Sequence, residues 1–267
     1  MNQNCSVLIP FCEFPGRVTV EKDSARLVEL VVDLLEDRLR RRLSQLDPKP
    51  LGLATGRTIQ PIYTALVSRL RSWPKADLEK LLGGWCSFNL DEYIGLVEGS
   101  PDSFAAYMAR YLGDPLGLTF DQLRIPNGCP ENPQKEASSY VKQLKLFGGL
   151  GTQLLGLGIN GHIGFNEPPC SSHSSCRVVP LSASTRKQNA FSFGNDPNLV
   201  PTHAITLGIE EILFAEEIHL IVTGASKANI LHSFINKSAS ECLPASWLRQ
   251  HNNLFLWCDY SAFSKVR

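Results

Sequence analysis

The sequence predicts an α/β fold: a doubly wound, mostly parallel sheet with helices on both faces. Three observations carry that expectation. Short apolar runs of strand length alternate with longer segments of helical period along the 267 residues. Polar, glycine-punctuated clusters stand where several apolar runs end, which is where such sheets gather ligands. No internal repeat, low-complexity tract or linker interrupts the pattern, so residues 1–267 read as a single domain large enough to bury a full core.

Taken in order, residues 6–9 form a short apolar strand. Asp23 is placed to cap a long helix carrying Leu27, Leu30, Val31, Leu34, Leu35 and Leu39 on one face and charges on the other. Residues 50–54 form a second strand, followed by a helix through Ile62, Leu66 and Leu70. Further strands are expected over 85–90, 153–157, 217–223 and 253–258, with helices over 102–112, 133–146 and 225–236 between them. The result is a Rossmann-like order of elements.

Composition limits the function classes. Lys plus Arg and Asp plus Glu number 26 each, so the net charge is zero and no broad nucleic-acid surface is expected. An anion site must then be a local arrangement. The eight cysteines show neither Cys-x-x-Cys nor zinc-like spacing, so no metal is expected and the chain reads as reduced and intracellular. No secretory segment opens the chain and no apolar run reaches bilayer length. These features predict a soluble, cytoplasmic protein that meets no membrane.

Four clusters carry chemistry. Residues 157–168 read Leu-Gly-Ile-Asn-Gly-His-Ile-Gly-Phe-Asn-Glu-Pro, which places His162 between Asn160 and Glu167 in a glycine-rich loop. An imidazole there is a candidate proton shuttle, since its ordinary pKa lies near working pH; a hydrogen-bonded turn histidine is the structural alternative. Thr55, Gly56, Arg57 and Thr58 open a helix, where free backbone N–H groups, the positive helix end and two hydroxyls could cradle a phosphate. Lys227, following Gly224 and Ser226 at another helix start, could add a cation, or be a surface lysine. Asp91 and Glu92 end an apolar strand; adjacent strand residues face opposite ways, so one could serve a site while the other makes structural contacts. An ionised Asp beside a carbonyl or imine is a general base; a capping aspartate is the alternative.

The segments GLATGRT, FNLDEYIGL, GINGHIGFNEP and VTGASKA, with RIPNG at 124–128, residues 185–201 and PASWLRQH, together resemble the glucosamine-6-phosphate deaminase family from about residue 50 to residue 260. The related 6-phosphogluconolactonases share the fold but typically lack the FNEP ending. The resemblance implies a hydrolase that converts glucosamine 6-phosphate and water to fructose 6-phosphate and ammonia without cofactor or metal, by aldose–ketose isomerisation with deamination. It implies a place in N-acetylglucosamine catabolism. It assigns Asp91 as the base moving a proton from C2 to C1, His162 as the ring-opening group, Glu167 as the residue that pairs with and orients it, and residues 55–58 with Lys227 as the phosphate site. A lactonase-like hydrolase and a non-catalytic sugar-phosphate sensor are the alternatives; the joint presence of Asp91, His162 and Glu167 argues against a sensor.

Three departures from the family pattern stand out. Asn160 takes a position commonly held by Asp; an amide can still orient the imidazole but cannot stabilise its cation by charge, so His162 is expected to lose its proton more easily. Phe191 falls where the family has a phosphate-binding arginine. Arg57 stands where Gly or Ser is usual, and Ile59 where Pro is usual. Arg57 is therefore expected to supply the guanidinium absent at 191. Arg177 matches a basic residue of the hexameric enzymes' allosteric site, but Val179 replaces its lysine neighbour, and the chain stops soon after 260. No activation by N-acetylglucosamine 6-phosphate is expected, and a monomer or small homo-oligomer rather than a hexamer.

Overall fold

The computed structural model of the protein describes residues 14–46, 48–97 and 99–266, and ten strands organise these described residues. They are β1 (Arg17–Glu21), β2 (Leu51–Leu53), β3 (Ser87–Asn89), β4 (Asp91–Ile94), β5 (Leu123–Arg124), β6 (Thr152–Gly156), β7 (Arg177–Pro180), β8 (His203–Thr206), β9 (Glu217–Val222) and β10 (Leu254–Asp259). Seven of them form one parallel sheet in the order β1-β10-β9-β6-β2-β3-β5. The strand expected over 6–9 lies outside the described residues.

From β2 the chain steps outward to β3 and β5, then returns to pair β6 with the other flank of β2 and continues to β9 and β10. Right-handed crossovers in opposite directions put helices on opposite faces. The direction reverses between β2 and β6, which pair only through Gly52 and Gln153. The loops leaving those two strands diverge there and open a crevice at their carboxyl ends.

The central strands are buried along nearly their whole length, as parallel strands covered on both faces must be. The helix Ser24–Arg42 begins as its capping residue predicts: Asp23 accepts the Arg26 N–H at 2.8 Å. It buries Leu27, Val31, Val32, Leu35 and Leu39, each contributing about 1.5–3 kcal/mol relative to exposure. Leu30 and Leu34 flank that stripe and are half-buried.

Several features differ from expectation, among them the edge strands β1 and β5, which the apolar runs did not indicate. The helix expected over 102–112 is a short α-helix, Phe104–Met108, continued by a wide π-turn, Ala109–Gly113. A helix at Lys75–Gly83 was not anticipated. Nor was a second, antiparallel sheet of order β4-β8-β7, which sets Asp91 opposite Thr206. That small sheet has its own core, in which Tyr93 packs against Phe104, Phe165 and Phe193 at ring separations of 4.6, 5.4 and 5.5 Å. It roofs the crevice and fixes one wall of the site.

Candidate active site

A cavity of about 440 Å³ occupies the crevice. The four clusters identified from sequence all reach it: residues 55–58 beyond β2, Asp91 beyond β3, the His162 loop beyond β6, and Ser226 with Lys227 beyond β9. Segments more than 100 residues apart in the chain thus meet because their strands are neighbours in the sheet.

The anion cradle lies at one end. Gly56 has φ +111°, a conformation that turns the chain sharply after β2 and that L side chains rarely adopt. The helix that follows, Gln60–Arg71, has no side-chain cap at its start. The N–H groups of Gly56, Arg57 and Thr58 donate to no described residue, because the turn's internal bonds run from Ile59 and Gln60 back to the Gly56 carbonyl. Arg57 and Lys227 bring two cations to the same end, and neither forms an ion pair among the described residues. Burial first, and then the Arg57 charge, lower the Lys227 ammonium to about 8. An uncapped helix end with unpaired N–H groups and two mutually repelling cations is satisfied by an anion.

Asp91 and Glu92 divide their roles as adjacent strand residues should. Asp91 is 4% exposed, faces the cavity, and its carboxyl accepts no hydrogen bond from the described residues. Burial, and then the Glu92 charge, push it well above the ordinary carboxylate range. Glu92 turns away and accepts three backbone N–H groups, from Tyr93 at 2.8 Å, Phe104 at 2.9 Å and Ala105 at 2.8 Å. It thereby ties β4 to the start of the helix that carries Phe104 and Tyr107 into the cavity wall. Burial raises Glu92 to about 7, although those three donors pull the other way.

His162 is held by its own loop. Its Nδ1 lies 2.6 Å from the Asn160 Oδ1, which also accepts the His162 backbone N–H at 3.2 Å. An amide oxygen can only accept, so Nδ1 carries the hydrogen and Nε2 is bare in the neutral ring. Burial lowers the imidazole to about 4, outweighing the raising effect of the Glu167 charge, and Lys227 lowers it further. Gly158 is required for this arrangement: a Cβ there would sit 2.3 Å from the His162 ring carbon Cε1. Glu167 does not pair directly with His162. Its Oε1 accepts the Ser182 N–H at 3.1 Å, because Asn160 already occupies Nδ1, and its influence on the ring is through charge.

The family model for glucosamine-6-phosphate isomerases/6-phosphogluconolactonase matches residues 22–257. The chain belongs to that family. It is 41% identical over 223 residues to a glucosamine-6-phosphate deaminase of Halalkalibacterium halodurans, covering 83% of this chain and 88% of the relative. It is 35% identical over 254 residues to glucosamine-6-phosphate deaminase 2 of Bacillus subtilis, covering 94% and 98%. Among solved structures, a monomeric glucosamine-6-phosphate deaminase superposes with a TM-score of 0.85 at 32% identity, covering 93% of this chain and 99% of that one. The 6-phosphogluconolactonase from Trypanosoma cruzi, with a TM-score of 0.74 at 17% identity, shares the fold.

Within this family frame, the structure brings Thr55, Gly56, Arg57, Thr58, Asp91, His162 and Lys227 to one cavity, and sets Asn160 and Glu167 behind the histidine. Sequence reasoning missed Tyr93, Tyr107, Arg110 and Tyr111, which also line it. The spacing of Tyr107, Arg110 and Tyr111, three and four apart, was the available signal for a shared helix face. Phe191 was noted only as a missing arginine; its ring lies against Arg57, with the guanidinium carbon 4.6 Å from the ring centroid.

Proposed function

We propose that the protein is a glucosamine-6-phosphate deaminase, a hydrolase that converts glucosamine 6-phosphate and water to fructose 6-phosphate and ammonia. The observation that carries the reading is the joining, in one cavity, of a two-cation anion cradle with two separate proton-transfer groups, the Asp91 carboxyl and the His162 imidazole. Ring opening and the C2-to-C1 proton shift act on different atoms and so need two groups.

The phosphate is held by the N–H groups and hydroxyls of residues 55–58, with Arg57 and Lys227 balancing its charge. His162, neutral at pH 7, takes the O1 proton on Nε2 and delivers it to O5 as the C1–O5 bond breaks. Asn160 fixes the ring so that this nitrogen is the free one, and the Glu167 charge steadies the transient imidazolium. Asp91 then acts on the open chain. Its burial favours the neutral acid, and the substrate's C2 ammonium reverses that balance by placing a cation beside it. The carboxylate removes the C2 proton while the ammonium supplies the proton that O1 gains, leaving an enolamine. Returning the proton to C1 produces an iminium at C2; water adds there and ammonia leaves. An amino sugar thus suits this carboxyl better than a neutral lactone does.

The resemblance and this site together support a role in N-acetylglucosamine catabolism, with the chain working as one domain and as a monomer or small homo-oligomer, in line with the monomeric structural relative. Among the described residues no helix is long and apolar enough to cross a membrane, which is compatible with a cytoplasmic location. The test is ammonia release from glucosamine 6-phosphate, run beside hydrolysis of 6-phosphogluconolactone. Ammonia release without lactone hydrolysis is expected; lactone hydrolysis alone, or tight sugar-phosphate binding with neither reaction, would overturn the reading.

A further inference from the structure

We propose that Phe191 is a positioning residue for the substrate's phosphate: its ring carries the Arg57 guanidinium, so that the segment 183–192 and the turn at 55–58 hold the anion jointly. The inference rests on the reading of the cradle as a phosphate site.

The local structure presents this ring deliberately. The helix Ala183–Asn189 ends in a 3-10 turn, Ala190–Ser192. That turn buries Ala190 and sends the following Phe193 into the aromatic core, but leaves Phe191 44% exposed on the cavity wall. Neighbouring contacts brace the segment on both sides. Asn189 Nδ2 donates to the Tyr93 hydroxyl at 2.9 Å. Arg186 donates to the carbonyls of Val200 at 3.1 Å and Pro197 at 2.8 Å. A large apolar ring on a braced support is thus turned toward the site, and the group covering it is the Arg57 guanidinium.

Arg57 itself is a long, exposed side chain with no ion-pair partner among the described residues. The cation–π contact with the Phe191 ring resolves that freedom. A guanidinium laid over a ring uses its flat face for the cation–π contact, while its N–H groups remain in the plane of the fork for an oxyanion. Face and edge are independent, so the ring orders Arg57 without consuming its donors. The aromatic residue at 191 and the arginine at 57 then form one functional unit: a guanidinium mounted on the turn and aimed from across the cavity. Lys227, already lowered by burial and by Arg57, supplies the second charge that a phosphate dianion would balance.

The experiment is a binding cycle read by calorimetry with inorganic phosphate and with fructose 6-phosphate, using wild type, Phe191→Leu, Phe191→Trp, Arg57→Ser and the Arg57→Ser/Phe191→Leu double variant. Phe191→Leu is expected to weaken both ligands about two- to fivefold, the size of an exposed cation–π contact. Phe191→Trp, with the better ring face, is expected to retain wild-type affinity. In the Arg57→Ser background, Phe191→Leu is expected to have no further effect, since the coupling has been removed. Equal losses from Leu and Trp, the same Phe191→Leu loss with Arg57 already absent, or unchanged affinity for Phe191→Leu would each overturn the proposal. Thermal melts of every variant separate loss of fold from loss of affinity, and Phe191→Trp provides the reading if Phe191→Leu does not fold. Because the readout is binding, an absence of ammonia release would refute the deaminase reading alone, while an active enzyme whose phosphate affinity ignores the ring would refute this inference alone.

Discussion

Replacing Asn160 with Asp should turn His162 from a group that stays neutral through the physiological range into one that titrates within it. In the wild type the Asn160 Oδ1 sits 2.6 Å from Nδ1 and contributes no charge, while burial holds the imidazole at about 4. A carboxylate in the same place keeps the hydrogen bond and adds a negative charge whose centre lies about 4 Å from that of the ring. At an effective dielectric of about 20 this stabilises the imidazolium by about 4 kcal/mol, equivalent to about 3 pH units. His162 should therefore rise from about 4 to about 7 in Asn160→Asp.

NMR titration of the His162 Cε1 proton reads that shift directly, and the pH profile of kcat/KM reads its consequence. The variant should gain an acidic limb near pH 7 as Nε2 becomes protonated and stops accepting the O1 proton, whereas His162 imposes no limb on the wild type above about pH 5. Stability gives a second reading. A histidine whose folded pKa is depressed contributes stability fully present above its unfolded pKa of about 6.5 and lost as the pH falls toward 4. That acid-side loss, up to about 3 kcal/mol in the wild type, should largely disappear in Asn160→Asp. A His162 titration within half a unit of the wild-type value would refute the reasoning.

Other perturbations probe separate parts of the site. Arg57→Ser removes charge-assisted bonds worth about 1.5–3 kcal/mol, so KM for glucosamine 6-phosphate should rise about 10- to 100-fold while kcat changes far less; an unchanged KM would show that Arg57 does not hold the phosphate. Gly158→Ala places a methyl where the His162 ring lies, 2.3 Å from Cε1, and the displaced ring should cost on the order of 100-fold in kcat; a kcat within a factor of three would show that the loop tolerates the change. Glu92→Gln tests the buried carboxyl behind Asp91. Its folded pKa is raised to about 7, so its stabilising contribution is present below about pH 4.5 and is lost as the pH rises through 7. The stability of wild type relative to Glu92→Gln should thus fall by about 3 kcal/mol between pH 4.5 and 7.5. Urea melts across that range would contradict this if the difference stayed constant.

Much of this arrangement was legible in the chain because it follows from local rules. The apolar runs that became β2, β6, β9 and β10 are strands buried on both faces, and such strands announce themselves by composition. Asp23 caps its helix because an acceptor preceding a helical period has few other uses. The site clusters were recognisable because strand ends in a doubly wound sheet converge. What escaped depends on contacts distant in sequence. The β4-β8-β7 sheet consists of four-residue strands, one of them beginning with two carboxylates, and it is held by Tyr93 packing against Phe104, Phe165 and Phe193 rather than by any local pattern. The pairing expected of Glu167 failed for a similar reason: Ser182 supplies its donor, and Asn160 reaches the imidazole first. The sequence suggested that Arg57 replaces the arginine absent at 191, but the contact between Arg57 and the Phe191 ring itself emerges only when the fold makes them neighbours.

The proposed mechanism turns on Asp91 carrying a proton from C2 to C1 of an amino sugar phosphate. Deuterium at C1 of the fructose 6-phosphate formed from glucosamine 6-phosphate deuterated at C2 reports that transfer, with wild type and Asp91→Asn compared at matched occupancy. The wild type is expected to release ammonia with C1 deuteration. Asp91→Asn is expected to lose both by at least about 10²–10⁴-fold, with fructose 6-phosphate still bound. Undiminished ammonia release and C1 labelling by Asp91→Asn would contradict the mechanism.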